Sequence, residues 1–227
     1  MNKTIYLLNI GGNYEPEITA LTFPSIRRYA TKIGARLHVI TERKFPAWPI
    51  TCEKLQIYEL GKQHRNDWNI YVDFDTLVHP DLFDITEHLP KDTVLNYHHD
   101  FAGTRWAVDD YFRRDGRWIS TCGWFTIASD WCLDLWRPLD DLTPAEAVAK
   151  AFRINLERRV GITAEHVLDD YVLSRNLARY GLKYQTFLEL QRGVEPASEF
   201  HYFWHQYAIP PEQKLAELKE MITRWEL

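Results

Sequence analysis

The stretch NIYVDFDTLVHP, residues 69–80, decides how this chain is read. Trp68, Ile70, Val72 and Phe74 alternate with Asn69, Tyr71, Asp73 and Asp75, and that period of two predicts a strand from Trp68. If the strand persists, both aspartates leave by the same face. Two carboxylates that close raise each other's protonation cost unless something positive sits between them. An apolar strand that ends in such a pair is a candidate site for a hard divalent ion. Mg2+ or Mn2+ takes carboxylate oxygens and leaves positions for water or phosphate.

The segments around it set the architecture. TIYLLNI, residues 4–10, is a short apolar run ending at Gly11 and Gly12, which predicts a buried strand. Over 17–34, Ile18, Leu21, Ile26, Tyr29 and Ile33 fall on one helical face. Pro24 is expected to kink that helix or start a second one, and Gly34 to cap it. ARLHVIT (35–41), TVLNYH (93–98) and WFTIAS (124–129) read as strands, and residues 52–63 as a helix with Leu55 and Tyr58 inward. Thr143 and Pro144 predict a helix start over 143–156. AEHVLDDYVLSRNLARYG (164–181) is a helix closed by Gly181, and YQTFLEL (184–190) and EFHYFWH (199–205) read as late strands. PPEQKLAELKEMITRW (210–225) is an amphipathic helix with Leu215, Leu218, Ile222 and Trp225 on one face. Strands alternating with helices imply an α/β fold, a mixed and mostly parallel sheet flanked by helices. Ligands of such sheets bind beyond the carboxyl ends of the strands. Gly11–Gly12, Asp73–Asp75 and the loop after His98 belong at that edge.

Composition narrows the class. A chain of 227 residues with 45% apolar content is expected to form a single domain, 1–227, with a substantial core. The net charge of −5, without long blocks of one sign, weakly disfavours non-specific nucleic-acid binding. Cys52, Cys122 and Cys132 form no CxxC, which fits a reducing compartment. No stretch is long enough for a signal peptide or membrane span, so a cytoplasmic location is expected. NIGGNY is neither a Walker A loop nor GxGxxG. His201 and His205, four apart, share a face if their segment is extended. Either one would tilt a two-aspartate site toward Mn2+.

In their order along the chain, these segments resemble the GT-A-fold, Asp-x-Asp metal-dependent glycosyltransferases. The resemblance is to the retaining lipopolysaccharide galactosyl- and glucosyltransferases and the glycogenin-like families in particular. NIYVDFDTLVHPDLFDI (69–85) matches their Asp-x-Asp strand. The resemblance implies a Rossmann-like GT-A domain. It implies Asp73 and Asp75 holding Mn2+, or Mg2+, on the diphosphate of a nucleotide sugar, preferably a UDP-sugar, with Phe74 and Asp73 beside the nucleotide. GGNYEPEITALTFPSIRRYA (11–30) resembles the segment lining base and ribose, which implies contacts from Asn9, Ile10, Gly11 and Tyr14. Lys54 in EKLQIYEL takes the position of a basic residue that reaches phosphate or donor sugar. Gly123 in STCGWFTIAS lets the sugar approach the backbone, with Thr121 where the family has Asn.

Asp169 and Asp170 match the acidic pair of the later helix. The resemblance implies Asp170 on the reacting side and Asp169 on the sugar hydroxyls. Neighbours on a helix point about 100° apart, so the two are not expected to face one ligand together. His201 or His205 corresponds to a late metal ligand, with His201 slightly preferred, although the family's HFxGxxKPW signature is not intact. Asp100, Trp106, Tyr111 and Phe112, in the long segment 98–117, are candidate donor or acceptor contacts. The implied activity is transfer of a hexose or pentose to an acceptor hydroxyl with retention. The acceptor is left open among a saccharide, a protein, a small molecule and a modified DNA base. Two alternatives stand beside it: a metal-dependent nucleotidyl or phosphoryl transferase or hydrolase on the same aspartates, and a non-catalytic binding module.

Overall fold

A computed structural model describes residues 1–98, 110–117, 121–152, 164–195, 200–206 and 209–227. Its centre is a six-stranded sheet in the order β2-β1-β3-β6-β5-β7. The strands are β1 (Lys3–Leu8), β2 (Arg36–Ile40), β3 (Trp68–Val72), β5 (Thr93–Asn96), β6 (Phe125–Ser129) and β7 (Lys183–Thr186). β1 pairs parallel with β2 and β3, and β5 with β7; β6 runs antiparallel between β3 and β5. The expected mixed, mostly parallel α/β sheet is therefore present. The carboxyl ends of β1, β3 and β5 and the start of β6 meet at one edge.

Burial on both faces of the sheet explains the apolar strands. Ile5 and Leu7 of β1, with Ile70 and Val72 of β3, point into one core, and Tyr6, Leu8 and Tyr71 into the other. Helix α1 (Pro16–Lys32) covers the first face with Ile26, Tyr29 and Ala30. Helix α5 (Ala164–Arg179) covers the second with Leu168, Tyr171, Val172 and Leu177. Each such aliphatic side chain contributes roughly 1.5–3 kcal/mol when buried. On this second face a short 3-10 helix, Ile50–Gln56, leads into α2 (Ile57–His64). Helix α4 (Pro144–Phe152) starts at Thr143, whose hydroxyl accepts the Glu146 amide while Glu146 accepts from Thr143 N. Residues 153–156, also expected in that helix, lie outside the described residues.

Three expectations change. No second helix starts at Pro24: α1 runs through it as one helix of 17 residues, because its buried face on both sides of the proline outweighs a cost on the order of 3 kcal/mol. Gly34, at φ +65°, ends it: Gly34 N donates to Thr31 O at 3.2 Å and Ala35 N to Ala30 O at 2.8 Å, a Schellman arrangement. YQTFLEL is not one strand, since β7 stops at Thr186 and α6 (Phe187–Val194) begins. A capping box between Thr186 and Glu189 starts the helix there. EFHYFWH contributes only β8 (Phe203–Trp204), which pairs antiparallel with β4 (Leu77–Val78). Helix α3 (Asp110–Asp115) lies against α5. Helix α7 (Pro211–Arg224) packs Leu218, Leu215, Ile222 and the following Trp225 against Ile18 of α1 and Leu77 of β4. No helix among the described residues is long and apolar enough to cross a membrane.

Candidate functional site

β3 ends at Val72, one residue before the aspartates. Asp73 N donates to Trp124 O at 2.7 Å, and Thr76 N donates back to Asp73 O at 3.1 Å, closing a turn over 73–76. Asp is favoured at the first position of such turns. Helix α1 holds this turn: Thr22 Oγ1 donates to Phe74 O at 2.6 Å, and Val78 N to Ser25 Oγ at 3.0 Å. The two carboxylates thus meet through a turn rather than by strand alternation.

The third member comes from the end of the chain. Asp73, Asp75 and His205 each offer one ligating atom, all within 4.8 Å of one another, and no other such group is found among the described residues. His205 Nε2 lies 3.6 Å from Asp73 Oδ2 and 3.5 Å from Asp75 Oδ1. Register explains the choice of histidine. Leu77 pairs with Trp204 and Val78 with Phe203, and His79 N donates to Tyr202 O at 2.8 Å. His205 therefore follows opposite Thr76, and His201 falls about 13 Å further along, opposite Pro80. His201 is exposed and is not part of the group. The slight preference for His201 is thereby reversed. Trp124 stacks on the His205 ring, centroids 4.6 Å apart and planes 13° apart, and also supplies the carbonyl that fixes Asp73.

A second cluster adjoins the first through Lys54. Its Nζ donates to Asp169 Oδ2 at 2.5 Å and to Gly123 O at 2.9 Å, and it sits 4.3 Å from the centroid of Tyr71, whose hydroxyl donates to Asp73 Oδ1 at 2.7 Å. The lysine is 2% exposed. Its short helix is anchored by buried Glu53, which accepts from Lys44 N at 2.8 Å, Phe45 N at 2.9 Å and Gln56 Nε2 at 2.8 Å. Gly123 N donates to Asp170 Oδ1 at 2.5 Å. A Cβ on Gly123 would stand 2.6 Å from Asp169 Oδ2, 2.7 Å from Asp170 Oδ1 and 3.1 Å from Lys54 Nζ. Both aspartates of α5 therefore converge on one glycine, against the expectation that they diverge. The bare backbone lets the two side chains come in from either side. Thr121 Oγ1 donates to Asp170 O at 2.9 Å and ties this segment to α5.

The electrostatics follow from this crowding. Burial opposes ionisation of Asp73, but Lys54 and His205 outweigh it and bring its pKa down to about 2. Burial likewise disfavours a charged His205, and Asp73 and Asp75 overcome that, raising it to about 9. Lys54 stays charged against its burial because Asp169, Asp73 and Asp170 surround it. Lys214 of α7, unforeseen from sequence, donates to Asp75 Oδ2 at 2.5 Å. Among the described residues, Asp73, Asp75, Asp169 and Asp170 are gathered around Lys54, Lys214 and His205. Asp75 Oδ1 and Asp169 Oδ1 are buried without a hydrogen-bond partner, a state that costs about 1–3 kcal/mol or more for a charged group. Two carboxylate oxygens and an imidazole nitrogen suit a divalent metal ion. The Asp75 oxygen left without a hydrogen bond fits a bound cation.

The sequence-predicted nucleotide contacts lie at the same edge. Asn9 N donates to Ile40 O at 2.9 Å just beyond β1. Ile10 N donates to Asn13 Oδ1 at 2.9 Å, and Gly11 and Gly12 take φ of +61° and +73°, which glycine adopts without strain. Tyr14 packs edge-on to Phe74, ring centroids 6.2 Å apart. Burial and then the charges of Asp73 and Asp75 hold its hydroxyl well above the usual phenol range. Tyr111 of α3 has the Arg175 guanidinium 4.5 Å from its ring centroid. Asp100, Trp106 and the side chain of Phe112 lie outside the described residues.

Tyr71, Trp124, Thr22 and Lys214 were not singled out from sequence. Tyr71 had a signal, since it shares the period-two face with Asp73. No family model and no curated protein matches the chain. Among solved structures, the chain is similar to one described as a glycosyltransferase involved in the glycosylation of the major capsid of PBCV-1. The two share 11% identity at a TM-score of 0.49, over 96% of this chain and 99% of that one. A likeness of that size decides nothing about activity.

Proposed function

We propose that this chain is a metal-dependent glycosyltransferase that uses a nucleotide diphosphate sugar. The observation that carries this is the Asp73–Asp75–His205 group, with Asp75 buried and one of its oxygens lacking a hydrogen bond, adjoining the Lys54–Asp169–Gly123–Asp170 cluster. Asp73, Asp75 and His205 would hold the ion, with Tyr71 and Trp124 fixing Asp73 and the His205 ring. Bound there, a divalent ion supplies Lewis-acid stabilisation of the departing diphosphate. Lys54 adds a fixed positive charge beside the same site, in a dry environment where such charges act strongly. Gly123, having no side chain, lets both Asp169 and Asp170 close on its backbone beside Lys54. Asp170, fixed by the Gly123 amide, serves the reacting side. Asp169, already paired with Lys54, keeps one oxygen free for a sugar hydroxyl.

In the reaction the bond from the sugar's anomeric carbon to the phosphate oxygen breaks, and the acceptor hydroxyl forms a new bond to that carbon. The nucleoside diphosphate carries away the electron pair, and the hydroxyl proton is released. A hexosyl or pentosyl UDP-sugar, Mn2+ and retention of configuration complete the proposal, and their support is the resemblance of the segments around Asp73–Asp75 and Asp169–Asp170. The test is a panel of nucleotide sugars incubated with Mn2+ or with EDTA, with Asp75→Asn as control. Metal-dependent release of nucleoside diphosphate, lowered about 100-fold or more in Asp75→Asn, is expected, since even outer-shell changes at metal sites cost 10–100-fold. Equal rates in wild type and variant would contradict the site. Release of sugar 1-phosphate with nucleoside monophosphate would favour phosphoryl or nucleotidyl transfer instead.

A further inference from the structure

Lys214 sits where a lysine is hardest to keep. It is 8% exposed, and it lies in the first turn of α7, whose aligned peptide dipoles disfavour a positive charge. Its backbone amide donates to Pro210 O at 2.9 Å as part of that turn. The apolar anchor of the helix is one turn further on, at fully buried Leu218, and does not need the ammonium. What holds Lys214 inward is Asp75: Nζ to Oδ2 is 2.5 Å, across a pair whose side chains are about a tenth exposed. The same carboxylate is a member of the candidate metal group, with Oδ1 3.5 Å from His205 Nε2.

We propose that Lys214 is an internal counter-cation of this site, which a divalent ion displaces from Asp75, so that ion binding and the seating of the first turn of α7 oppose each other. This rests on the metal-binding role proposed above for Asp73, Asp75 and His205. The physical reason is like-charge repulsion: an ion on Asp75 stands beside an ammonium 2.5 Å from the same carboxylate. The four-carbon stem lets Nζ swing away while Leu218 keeps the helix docked. Coupling is reciprocal, so removing the ammonium strengthens ion binding by as much as the ion weakens the ammonium's hold.

The test titrates Mn2+ alone into the full chain and reads free Mn2+ by electron paramagnetic resonance. Lys214→Met keeps the stem and removes the charge, and Lys219→Met changes an exposed lysine of the same helix. Lys214→Met is expected to bind Mn2+ about tenfold tighter than wild type, an ordinary size for coupling between two ligands, and Lys219→Met to match wild type. In the unsubstituted chain, Mn2+ should speed exchange of the Lys214 amide, which donates to Pro210 O, a readout independent of how any variant folds. Equal or weaker Mn2+ binding by Lys214→Met, or exchange unaffected by Mn2+, overturns this inference while leaving the metal site standing. Failure of every form to bind Mn2+ overturns both.

Discussion

The two ends of β1 and β3 carry polar clusters of opposite character. At the amino end, Thr4 Oγ1 donates to Asn66 Oδ1 at 2.9 Å, and Asn66 Nδ2 donates to Tyr6 OH at 2.8 Å and to Asn69 Oδ1 at 2.9 Å. Every member is neutral and buried, and only Asn69 Nδ2 of their side-chain atoms lacks a partner among the described residues. At the carboxyl end the cluster is charged, and among the described residues it leaves carboxylate oxygens of Asp75 and Asp169 without a hydrogen bond. A cavity of about 520 Å3 opens at the amino end, beside Asp67 and Asp130. Those carboxylates are more than a third exposed and share Lys91, at 3.2 and 3.0 Å, so neither resembles the buried pair. This hollow lies at the end opposite the candidate site. The lesson is that incomplete hydrogen bonding of buried charge marks the candidate site.

The largest effect should come from breaking the charged end. Lys54→Met leaves Asp169 buried without its ammonium and should lower stability by roughly 3–5 kcal/mol in urea unfolding. Adding Asp169→Asn should recover part of that loss, because the uncompensated charge goes too. A purely additive double variant would mean the pair is not the electrostatic unit described. At the neutral end, Asn66→Ala strands its partners and should cost about 1–3 kcal/mol. It should leave Mn2+ affinity at the wild-type value; a change there would dissolve the contrast between the two ends.

The smallest effect concerns acid. His64 Nδ1 lies 3.2 Å from Tyr6 OH, and the His38 and His64 rings are 5.1 Å apart. Burial, then His64 and Arg36, lower the pKa of His38; burial, then Arg36, lower that of His64. Folded histidines then bind protons less readily than unfolded ones, so their contribution is present above the ordinary value of 6.5 and is lost as pH falls below it. Between pH 7.5 and 5.5 these two rings pull the urea midpoint down while His205, raised to about 9, pushes it up, so His38→Gln with His64→Gln should shift the slope toward a higher midpoint at pH 5.5 relative to pH 7.5 than in the wild type. An unchanged slope in the double variant would remove these rings from the account.

Much of the fold was legible because its signals are local. The β1, β3 and β6 runs, the α1 face around Ile26 and Tyr29, and the ends at Gly34 and Gly181 follow from period and capping. Asp73 and Asp75 were legible as a pair for the same reason. The rest depends on distant partners. The strand stops at Val72 because a carbonyl from Trp124 claims the next amide. His205 rather than His201 reaches the aspartates because two residues of β8 set a register with β4, which spacing within 199–205 cannot show. Asp169 and Asp170 converge because Gly123 has no side chain to keep them apart. Lys214 escaped notice because a lysine on an amphipathic helix is ordinarily sorted to solvent, although it lies one turn before Leu218 on the buried side. The Thr186–Glu189 capping box, by contrast, was local and was read through as strand.

The most direct test of the central claim is calorimetric titration of UDP into the wild type, Asp75→Asn, His205→Ala and His201→Ala, each with Mn2+ and with EDTA. If a divalent ion held by Asp73, Asp75 and His205 receives the diphosphate, wild type and His201→Ala bind UDP only with Mn2+, and Asp75→Asn and His205→Ala lose that binding. UDP binding that ignores the metal, or that survives His205→Ala and vanishes with His201→Ala, would contradict it.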